Sequence, residues 1–234
     1  MISGLQKMTL LDLPGKVACT VFLQGCNYRC PFCHNSDLLP GKGEELMTTA
    51  ELLAFLRKRQ GLLDGVCISG GEPTLCPELE ELLRKIKALG FAVKLDTNGS
   101  RPQVLKDLIE KGLVDYVAMD VKNSPQRYAE TVGLTRFDLG PTEESLRALI
   151  GGTVDYELRT TVVRPLHDDA SILDMGVWLG ELVPGKKPRR LFLQTFVDRE
   201  SVLFSGLFPA LPDEMHRLSE LLQGYTEQVS VRGE

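Results

Sequence analysis

The chain has 234 residues, of which 43% are hydrophobic and 25% are charged. This is an ordinary globular composition, able to form a sizeable core in one large domain or two small ones. The net charge of −5 argues against nucleic acid or an anionic membrane as a partner. The sequence has no apolar run of membrane-spanning length and no signal-peptide pattern, so we expect a soluble, cytoplasmic protein.

Short β-branched segments alternate with longer amphipathic segments, which is the pattern of β/α units. Strands are predicted at 17–24, 65–69, 92–96, 116–121, 156–163 and 190–196. Helices are predicted at 48–59, 77–89, 102–111, 142–150, 169–182 and 213–222, with a short helix near 126–131. Six such units indicate an α/β fold with parallel strands and right-handed crossovers. We expect a single domain over 1–234, with a core at 14–200 and a C-terminal helix and tail at 201–234.

Three of the six cysteines are clustered: Cys26, Cys30 and Cys33 follow the pattern C-x3-C-x2-C, with Phe32 directly before the third. Three thiolates so close together, with no fourth cysteine nearby, are typical of a [4Fe-4S] cluster with one iron open to a small molecule. The alternative is a structural zinc site in which His34 or a distant cysteine is the fourth ligand. Zinc ligands usually come as two separated pairs, and His34 directly follows Cys33, so the spacing favours the cluster.

Polar residues follow the carboxyl ends of the predicted strands, the edge at which β/α barrels form their active sites. The run Gly70-Gly71-Glu72-Pro73 follows the second strand, and its glycines would let a ligand approach the backbone while Glu72 pairs with an ammonium group. An ordinary turn with a solvated glutamate is the alternative. The third strand ends in Asp96-Thr97-Asn98-Gly99, which could bind a ribose or a carboxylate, or could form a simple Asx-type turn.

The later strands carry further polar candidates. Asp120 and Lys122 alternate with Val121, so both face the same side of the fourth strand. At the mouth of a barrel this pair would bind a carboxylate, although a buried ion pair has the same pattern. The inward polar residues of the last two strands would contact an adenine or ribose, or else fill an ordinary interior layer. These residues are Arg159, Thr161 and Gln194.

The remaining cysteines and histidines are predicted to be mostly structural. Cys19 and Cys67 lie within apolar strands and are expected in the core, whereas Cys76 is close enough to the candidate site to stay open. His167 and His216 show no partner pattern and are expected to be surface or satisfied residues.

Together these motifs resemble the radical S-adenosylmethionine (SAM) superfamily, through the cysteine pattern and the Gly-Gly-Glu-Pro run. Further runs resemble the glycyl-radical-enzyme activases within it. These runs are Asp12-Leu13-Pro14-Gly15-Lys16, Gln24-Gly25-Cys26, Cys33-His34-Asn35, Asp96-Thr97-Asn98-Gly99 and Asp120-Val121-Lys122. The pattern is most similar to the activating proteins of anaerobic ribonucleoside-triphosphate reductase, with pyruvate formate-lyase activating enzymes as near relatives. The resemblance spans residues 3–197.

The resemblance implies a partial (β/α)6 TIM-like barrel with a [4Fe-4S] cluster on Cys26, Cys30 and Cys33. The open iron would chelate the amino and carboxylate groups of SAM. The backbone of Phe32-Cys33-His34 would meet the adenine, and the turn Gly70-Gly71-Glu72 would hold the methionine amino group.

The later strand ends would complete the SAM pocket. Asp96-Thr97-Asn98, with Asp120 and Lys122, would surround the methionine carboxylate and the ribose. In some activases the aspartates also coordinate a monovalent cation, which the resemblance extends to Asp96 and Asp120. Gln194 stands where some activases have a histidine near the ribose.

The resemblance also implies the reaction. A flavodoxin or ferredoxin-type electron donor would reduce the cluster, and SAM would be cleaved to methionine and a 5′-deoxyadenosyl radical. This radical would take a hydrogen from a glycine Cα of a partner glycyl-radical enzyme. Two alternatives stay open: a radical SAM enzyme acting on a small molecule, of the carboxy-deazaguanine synthase kind, and a non-catalytic zinc- or cluster-binding protein.

Overall fold

The structure is a computed structural model that describes residues 1–41 and 44–233. The chain divides into two compact units. The first unit consists of Met1–Asn27 and Asp37–Ala118, and the second consists of Tyr28–Ser36 and Met119–Glu234.

The first unit is a small sheet with three helices. Its strands are β1 (Ile2–Thr9), β2 (Ala18–Leu23), β3 (Gly65–Gly70), β4 (Ala92–Thr97) and the start of β5 (Tyr116–Asp120), in that order in the sheet. Its helices are α1 (Thr49–Arg57), α2 (Leu79–Ala88) and α3 (Pro102–Glu110). β1 runs antiparallel to β2, whereas β2, β3 and β4 are parallel. A helix follows each parallel strand, as parallel connections require.

The second unit continues the same alternation. Its elements after β5 are α4 (Tyr128–Thr131), α5 (Gly140–Gly151), β6 (Asp155–Arg164), α6 (Asp169–Glu181), β7 (Arg190–Thr195), β8 (Phe208–Pro209), α7 (Pro212–Leu222) and β9 (Gln228–Arg232). The sheet order is β5-β6-β7-β9, with β7 parallel to both of its neighbours. The two-residue strand β8 pairs antiparallel with the end of β6.

Local sequence explains where two of the helices begin. The Thr48 hydroxyl accepts from the Glu51 amide, and the Glu51 carboxylate accepts from the Thr48 amide over 2.8 Å. Asp168 and Ser171 form the same reciprocal pair at the start of α6. These capping boxes satisfy amide groups that a helix start leaves without a partner.

The core of the first unit is formed by its central parallel strands. Val66, Cys67 and Ile68 on β3 are 0% exposed, which explains the unbroken apolar run of this strand. Cys19 on β2 is equally buried, and burial raises the pKa of its thiol to about 11. The predicted core positions of Cys19 and Cys67 are therefore confirmed.

The six predicted strands and six predicted helices are confirmed to within a few residues at their ends. The short predicted helix near 126–131 is also present, as a 3-10 turn at Pro125–Arg127 followed by α4. Strands β1, β8 and β9 have no counterpart in the prediction, and β9 lies in the predicted C-terminal tail. No helix in the described ranges is long and apolar enough to cross a membrane.

Candidate active site

The segment after Cys26 is held by close contacts inside the second unit. The Arg29 amide donates to the Val132 carbonyl over 2.8 Å, and the buried Tyr28 ring lies edge-on to Phe137 with 5.7 Å between centroids. A Cβ on Gly133 would lie 2.2 Å from the Arg29 carbonyl oxygen. Gly133 also has φ of +69°, so both its turn and its close approach to the cysteine loop require glycine.

The side chains around Cys33 are packed within the second unit. Phe32 is 5% exposed, and its ring lies edge-on to His167, with 6.5 Å between the ring centroids. The Lys122 ammonium lies 6.0 Å from the Phe32 ring centroid. The His34 ring stacks on Phe196 at 5.6 Å, and its Nε2 lies 2.7 Å from the Val197 carbonyl oxygen. Burial lowers the pKa of His34.

The donor chemistry of the cysteine loop fits an iron–sulfur cluster. Cys26, Cys30 and Cys33 are thiols rather than disulfides, and the Cys33 amide donates to the Cys30 carbonyl over 3.1 Å. In the part of the chain that the structure describes, no three His, Cys, Asp or Glu side chains are arranged as ligands of one metal ion. In a [4Fe-4S] cluster each thiolate binds a different iron, so its sulfurs lie further apart than those around a single zinc.

The glycine turn after β3 is shaped by the chain's own backbone. A Cβ on Gly70 would lie 2.1 Å from the Leu23 carbonyl oxygen, and a Cβ on Gly71 would lie 2.1 Å from that of Gly25. The Glu72 amide donates to the Gly25 carbonyl over 2.7 Å. The two glycines are therefore required where this turn packs against the backbone that leads into Cys26.

The Glu72 carboxylate is enclosed by hydrogen-bond donors of the first unit. The residue is 1% exposed. One oxygen accepts from the Thr74 amide and hydroxyl and from the Thr97 hydroxyl at 2.8 Å, and the other accepts from the Asn98 amide at 2.6 Å. Burial raises the pKa of Glu72 above its ordinary value even though these four bonds favour the ionised form. Glu72 thus ties the turn after β3 to the turn after β4.

Asn98 connects this network to the cysteine loop. Its side-chain amide donates to the Asn27 side-chain oxygen over 3.0 Å and points at the Cys26 sulfur from 4.0 Å. Its side-chain oxygen accepts from the Ser100 amide over 2.9 Å, which is the Asx-type turn expected at this position. Asn98 therefore serves the turn and contacts the candidate cluster ligand as well.

Asp96 has protein partners on both of its carboxylate oxygens. Oδ2 accepts from the Ser69 hydroxyl over 3.0 Å, and Oδ1 lies 2.8 Å from the ammonium of Lys94. Lys94 was not among the predicted site residues. Its signal in the sequence is a charged residue inside an apolar strand, two positions before Asp96 and hence on the same face.

Asp120 lies between two cations in the second unit. Its oxygens are 2.8 Å from the Lys122 ammonium and 3.0 Å from the Arg159 Nε. Burial opposes ionisation, but the charges of Lys122 and Arg159 outweigh it and lower the pKa of Asp120 to about 2. The charge of Asp120, with a contribution from Cys30, likewise raises the pKa of Lys122 above its ordinary value against the effect of burial. The three side chains together carry one net positive charge.

Thr161 and Gln194 are brought together by the pairing of β6 with β7. They are direct partners across the two strands, and Arg159 is opposite Phe192 two residues earlier. Residues opposite each other share a face of the sheet, so Thr161 and Gln194 lie on the face that carries Arg159.

His167 packs beside two of the candidate site residues, Phe32 and Lys122. It is 4% exposed, its Nδ1 accepts from the Val163 amide over 3.1 Å, and its Nε2 lies 2.7 Å from the Lys122 carbonyl oxygen. A neutral ring with the proton on Nε2 satisfies both of these bonds. His167 is satisfied, as predicted, and it positions the backbone of Lys122.

The family model of the radical SAM superfamily matches residues 20–169 of this chain. That match covers more than half of the sequence and includes the cysteine loop and the polar ends of β3 to β6. The chain therefore belongs to the radical SAM superfamily.

Two relatives and one solved structure define the likeness further. A protein of Methanocaldococcus jannaschii, provisionally described as a glycyl-radical enzyme activating enzyme, is 32% identical over 99% of this chain and 95% of its own length. The pyruvate formate-lyase 1-activating enzyme of Escherichia coli is 29% identical over 72% of this chain and 70% of its own. Streptococcus suis SuiB bound to S-adenosylmethionine matches in fold, with a TM-score of 0.65 at 13% identity over 92% of this chain and 52% of that one.

The protein is thus a radical SAM enzyme with the α/β fold of that superfamily, classed as a partial (β/α)6 TIM-like barrel. Within the superfamily it is of the glycyl-radical-enzyme activating type. Its cofactors are a [4Fe-4S] cluster and SAM.

Proposed function

We propose that this protein is an activase that uses SAM to generate a glycyl radical on a partner enzyme. The observation that carries the proposal is the near full-length likeness to the M. jannaschii protein, which covers 99% of this chain. A relative that shared only the cofactor-binding core would match only part of the chain. A match over 99% of the chain therefore supports a shared type of activity as well as a shared cofactor.

Cys26, Cys30 and Cys33 are the proposed cluster ligands. When bound, the cluster and SAM supply a one-electron cleavage that yields methionine and a 5′-deoxyadenosyl radical, which becomes 5′-deoxyadenosine by taking hydrogen from glycine. Tyr28 and Arg29 hold the loop that carries two of these ligands through their contacts in the second unit.

The proposed SAM pocket uses the strand-end residues in distinct roles. The net positive charge of Asp120, Lys122 and Arg159 suits the methionine carboxylate. We assign the methionine amino group to the turn Gly70-Gly71-Glu72. We assign the ribose to the run Asp96-Thr97-Asn98. The backbone of Phe32-Cys33-His34 is assigned to the adenine, with Thr161 and Gln194 on the adjoining strands.

The finer assignment of partners rests on the motif resemblance alone. The proposed protein substrate is a glycyl-radical enzyme of the anaerobic ribonucleotide reductase class, and the proposed electron donor is a flavodoxin or ferredoxin-type protein. The net charge of −5 gives no reason to add nucleic acid or a membrane as a partner.

Anaerobic reconstitution tests the proposal in two stages. The reconstituted and reduced protein should show the absorption and EPR signals of a [4Fe-4S] cluster and should release 5′-deoxyadenosine from SAM, and Cys30→Ala should lose both. Adding a glycyl-radical enzyme of the anaerobic ribonucleotide reductase class from the same organism should then give a glycyl radical signal. SAM cleavage without any glycyl radical on that enzyme would instead favour a small-molecule substrate. Absence of a cluster would contradict the enzyme assignment.

A further inference from the structure

A buried lysine, Lys94, lies on β4 two residues before the candidate site residue Asp96. The Lys94 side chain is 3% exposed, whereas the side chain of Asp96, two residues further on the same face, is 15% exposed. The ammonium and the Asp96 Oδ1 are 2.8 Å apart. The ammonium is therefore the more buried of the two charged groups, and the Oδ1 atom that it contacts is buried with it.

The resemblance led us to expect a monovalent cation at Asp96 and Asp120, and the contacts of these aspartates do not favour one. All four carboxylate oxygens already have side-chain partners: Asp96 has Ser69 and Lys94, and Asp120 has Lys122 and Arg159. Three of these four partners are themselves positively charged. A sodium or potassium ion needs oxygen ligands and would be repelled by an ammonium within about 3 Å of the same carboxylate.

Neither carboxylate needs an added ion as a counter-charge. Lys94 and Asp96 form a neutral pair in the first unit, and Asp120 with its two cations is net positive in the second. Removing Lys94 would leave Asp96 without its counter-charge in a mostly buried position, which is costly. A metal cation would then become favourable at that carboxylate.

We propose that the ammonium group of Lys94 supplies the positive charge beside Asp96, so that SAM binding by this protein needs no bound monovalent metal cation. The proposal rests on the SAM pocket assigned above and adds to it a positioning residue, Lys94, which acts through Asp96. It also replaces the cation expected from the resemblance by a side chain of this chain.

The test is the dissociation constant of SAM on the reconstituted protein, measured by equilibrium dialysis at constant ionic strength in potassium, sodium or tetramethylammonium chloride. Tetramethylammonium is too large to occupy a carboxylate site of this kind. The wild-type Kd should agree within about twofold in the three salts. Lys94→Met should instead bind SAM about fivefold more weakly in tetramethylammonium chloride than in potassium chloride. A factor of about five is the lower end of ordinary coupling between two binding sites. Lys87→Met is the matched control, because Lys87 pairs with Asp115 at 2.7 Å on the surface of the same unit and should give wild-type values.

Each outcome decides the proposal. A wild-type Kd that rises about fivefold when potassium is withdrawn would overturn it, and this result does not depend on whether Lys94→Met folds. Salt-independent binding by a folded Lys94→Met would overturn the role of Lys94. Absence of SAM binding in every salt would instead refute the SAM pocket itself, which is a different result from cation dependence.

Discussion

Two partly buried carboxylates of this protein, Asp96 and Asp120, lie beside side chains of opposite charge. Lys94 balances Asp96, and Lys122 with Arg159 flanks Asp120. An isolated buried ion costs several kcal/mol, so these partners are needed for the charged forms to persist. The positive excess around Asp120 is the feature that can bind a carboxylate, since a neutral pair would offer only hydrogen bonds.

Lys122→Met should weaken SAM binding because it removes that positive excess and leaves Asp120 with Arg159 as a neutral pair. We expect the Kd to rise about tenfold, equivalent to about 1.4 kcal/mol of lost binding free energy, in equilibrium dialysis on the reconstituted protein. Lys186→Met is the matched control, because the Lys186 ammonium donates to the Gly151 carbonyl over 2.9 Å at an exposed position. Equal Kd values for Lys122→Met and the wild type would contradict the assigned role.

His167 should make the folded state sensitive to mild acid. Burial lowers the pKa of His167, so the unfolded chain binds the proton more readily than the folded protein. The folded state is then fully favoured above the unfolded pKa of about 6.5 and loses stability as the pH falls below it. The groups that face the ring are the Val163 amide, the Lys122 carbonyl, Arg127 and Asp168.

The measurement is the free energy of unfolding of the reconstituted protein at pH 7.5 and pH 5.5. Between pH 7.5 and pH 5.5, the free energy of unfolding should fall by about 1 kcal/mol more in the wild type than in His167→Gln. His216→Gln, at an exposed helical position, should keep the wild-type dependence. A His167→Gln profile as steep as that of the wild type would contradict the neutral buried ring.

At the scale of elements, strand β9 completes the sheet of the second unit. It pairs in parallel with β7, and Arg232 near its end forms two hydrogen bonds, of 3.1 and 2.9 Å, with the carboxylate of Glu157 on β6. The guanidinium carbon lies 3.3 Å from the Phe192 ring centroid. Glu157 is 2% exposed, so this arginine from the last strand pairs with a buried carboxylate.

Arg232→Leu should therefore destabilise the protein by about 3 kcal/mol, because it removes a counter-charge and two hydrogen bonds from the buried Glu157 carboxylate. The double variant Glu157→Leu with Arg232→Leu should recover most of that loss. Denaturant unfolding of the four proteins of this cycle gives the interaction energy. Additive single effects would show that Arg232 contributes only its packing.

The turn after α4 should control the conformation of the cysteine loop. Gly133→Ala places a Cβ against the Arg29 carbonyl, whereas Gly185→Ala imposes a similar positive φ, +73° against +69°, with no neighbour within 4 Å. In both variants alanine must adopt an unfavourable positive φ, but only in Gly133→Ala does the new Cβ displace the cysteine loop. Iron and sulfide content after reconstitution should fall in Gly133→Ala and remain at the wild-type level in Gly185→Ala. Equal content in the two would contradict this coupling.

The repeated β/α pattern was readable from the sequence because its strands are strongly apolar and its helices amphipathic. The strands that the prediction omitted, β1, β8 and β9, could not be recognised in the same way. β1 and β9 are edge or near-edge strands whose polar residues face partly outward, so their hydrophobic signal is weak. Val229 and Val231 in β9 do alternate with polar residues, which is the one signal that could have indicated it.

Candidate site residues could be chosen from the sequence, but their contacts within the fold could not. Glu72 meets Thr97 and Asn98, which lie 25 and 26 residues further along, only because β3 and β4 are parallel neighbours. The sequence places Lys94 and Asp96 on the same face of β4, but it does not show that their charged groups are 2.8 Å apart. Such contacts depend on strand register and rotamers, which a motif does not encode.

At the scale of the whole molecule, superfamily membership supplies the cofactors, and the near full-length relative supplies the type of activity. Each compact unit contributes its own ordered set of side chains: the Glu72–Asn98 network in the first, and the Asp120 charge cluster in the second. The proposed reaction demands that the radical reach one particular hydrogen, on a glycine of another protein.

Transfer of that hydrogen is the measurement that tests the activase assignment most directly. The reduced, reconstituted protein would be incubated with SAM and with a glycyl-radical enzyme of the same organism, prepared with glycine deuterated at Cα. Our account predicts deuterium in the released 5′-deoxyadenosine together with a glycyl radical EPR signal. Release of 5′-deoxyadenosine without deuterium and without that signal would contradict it.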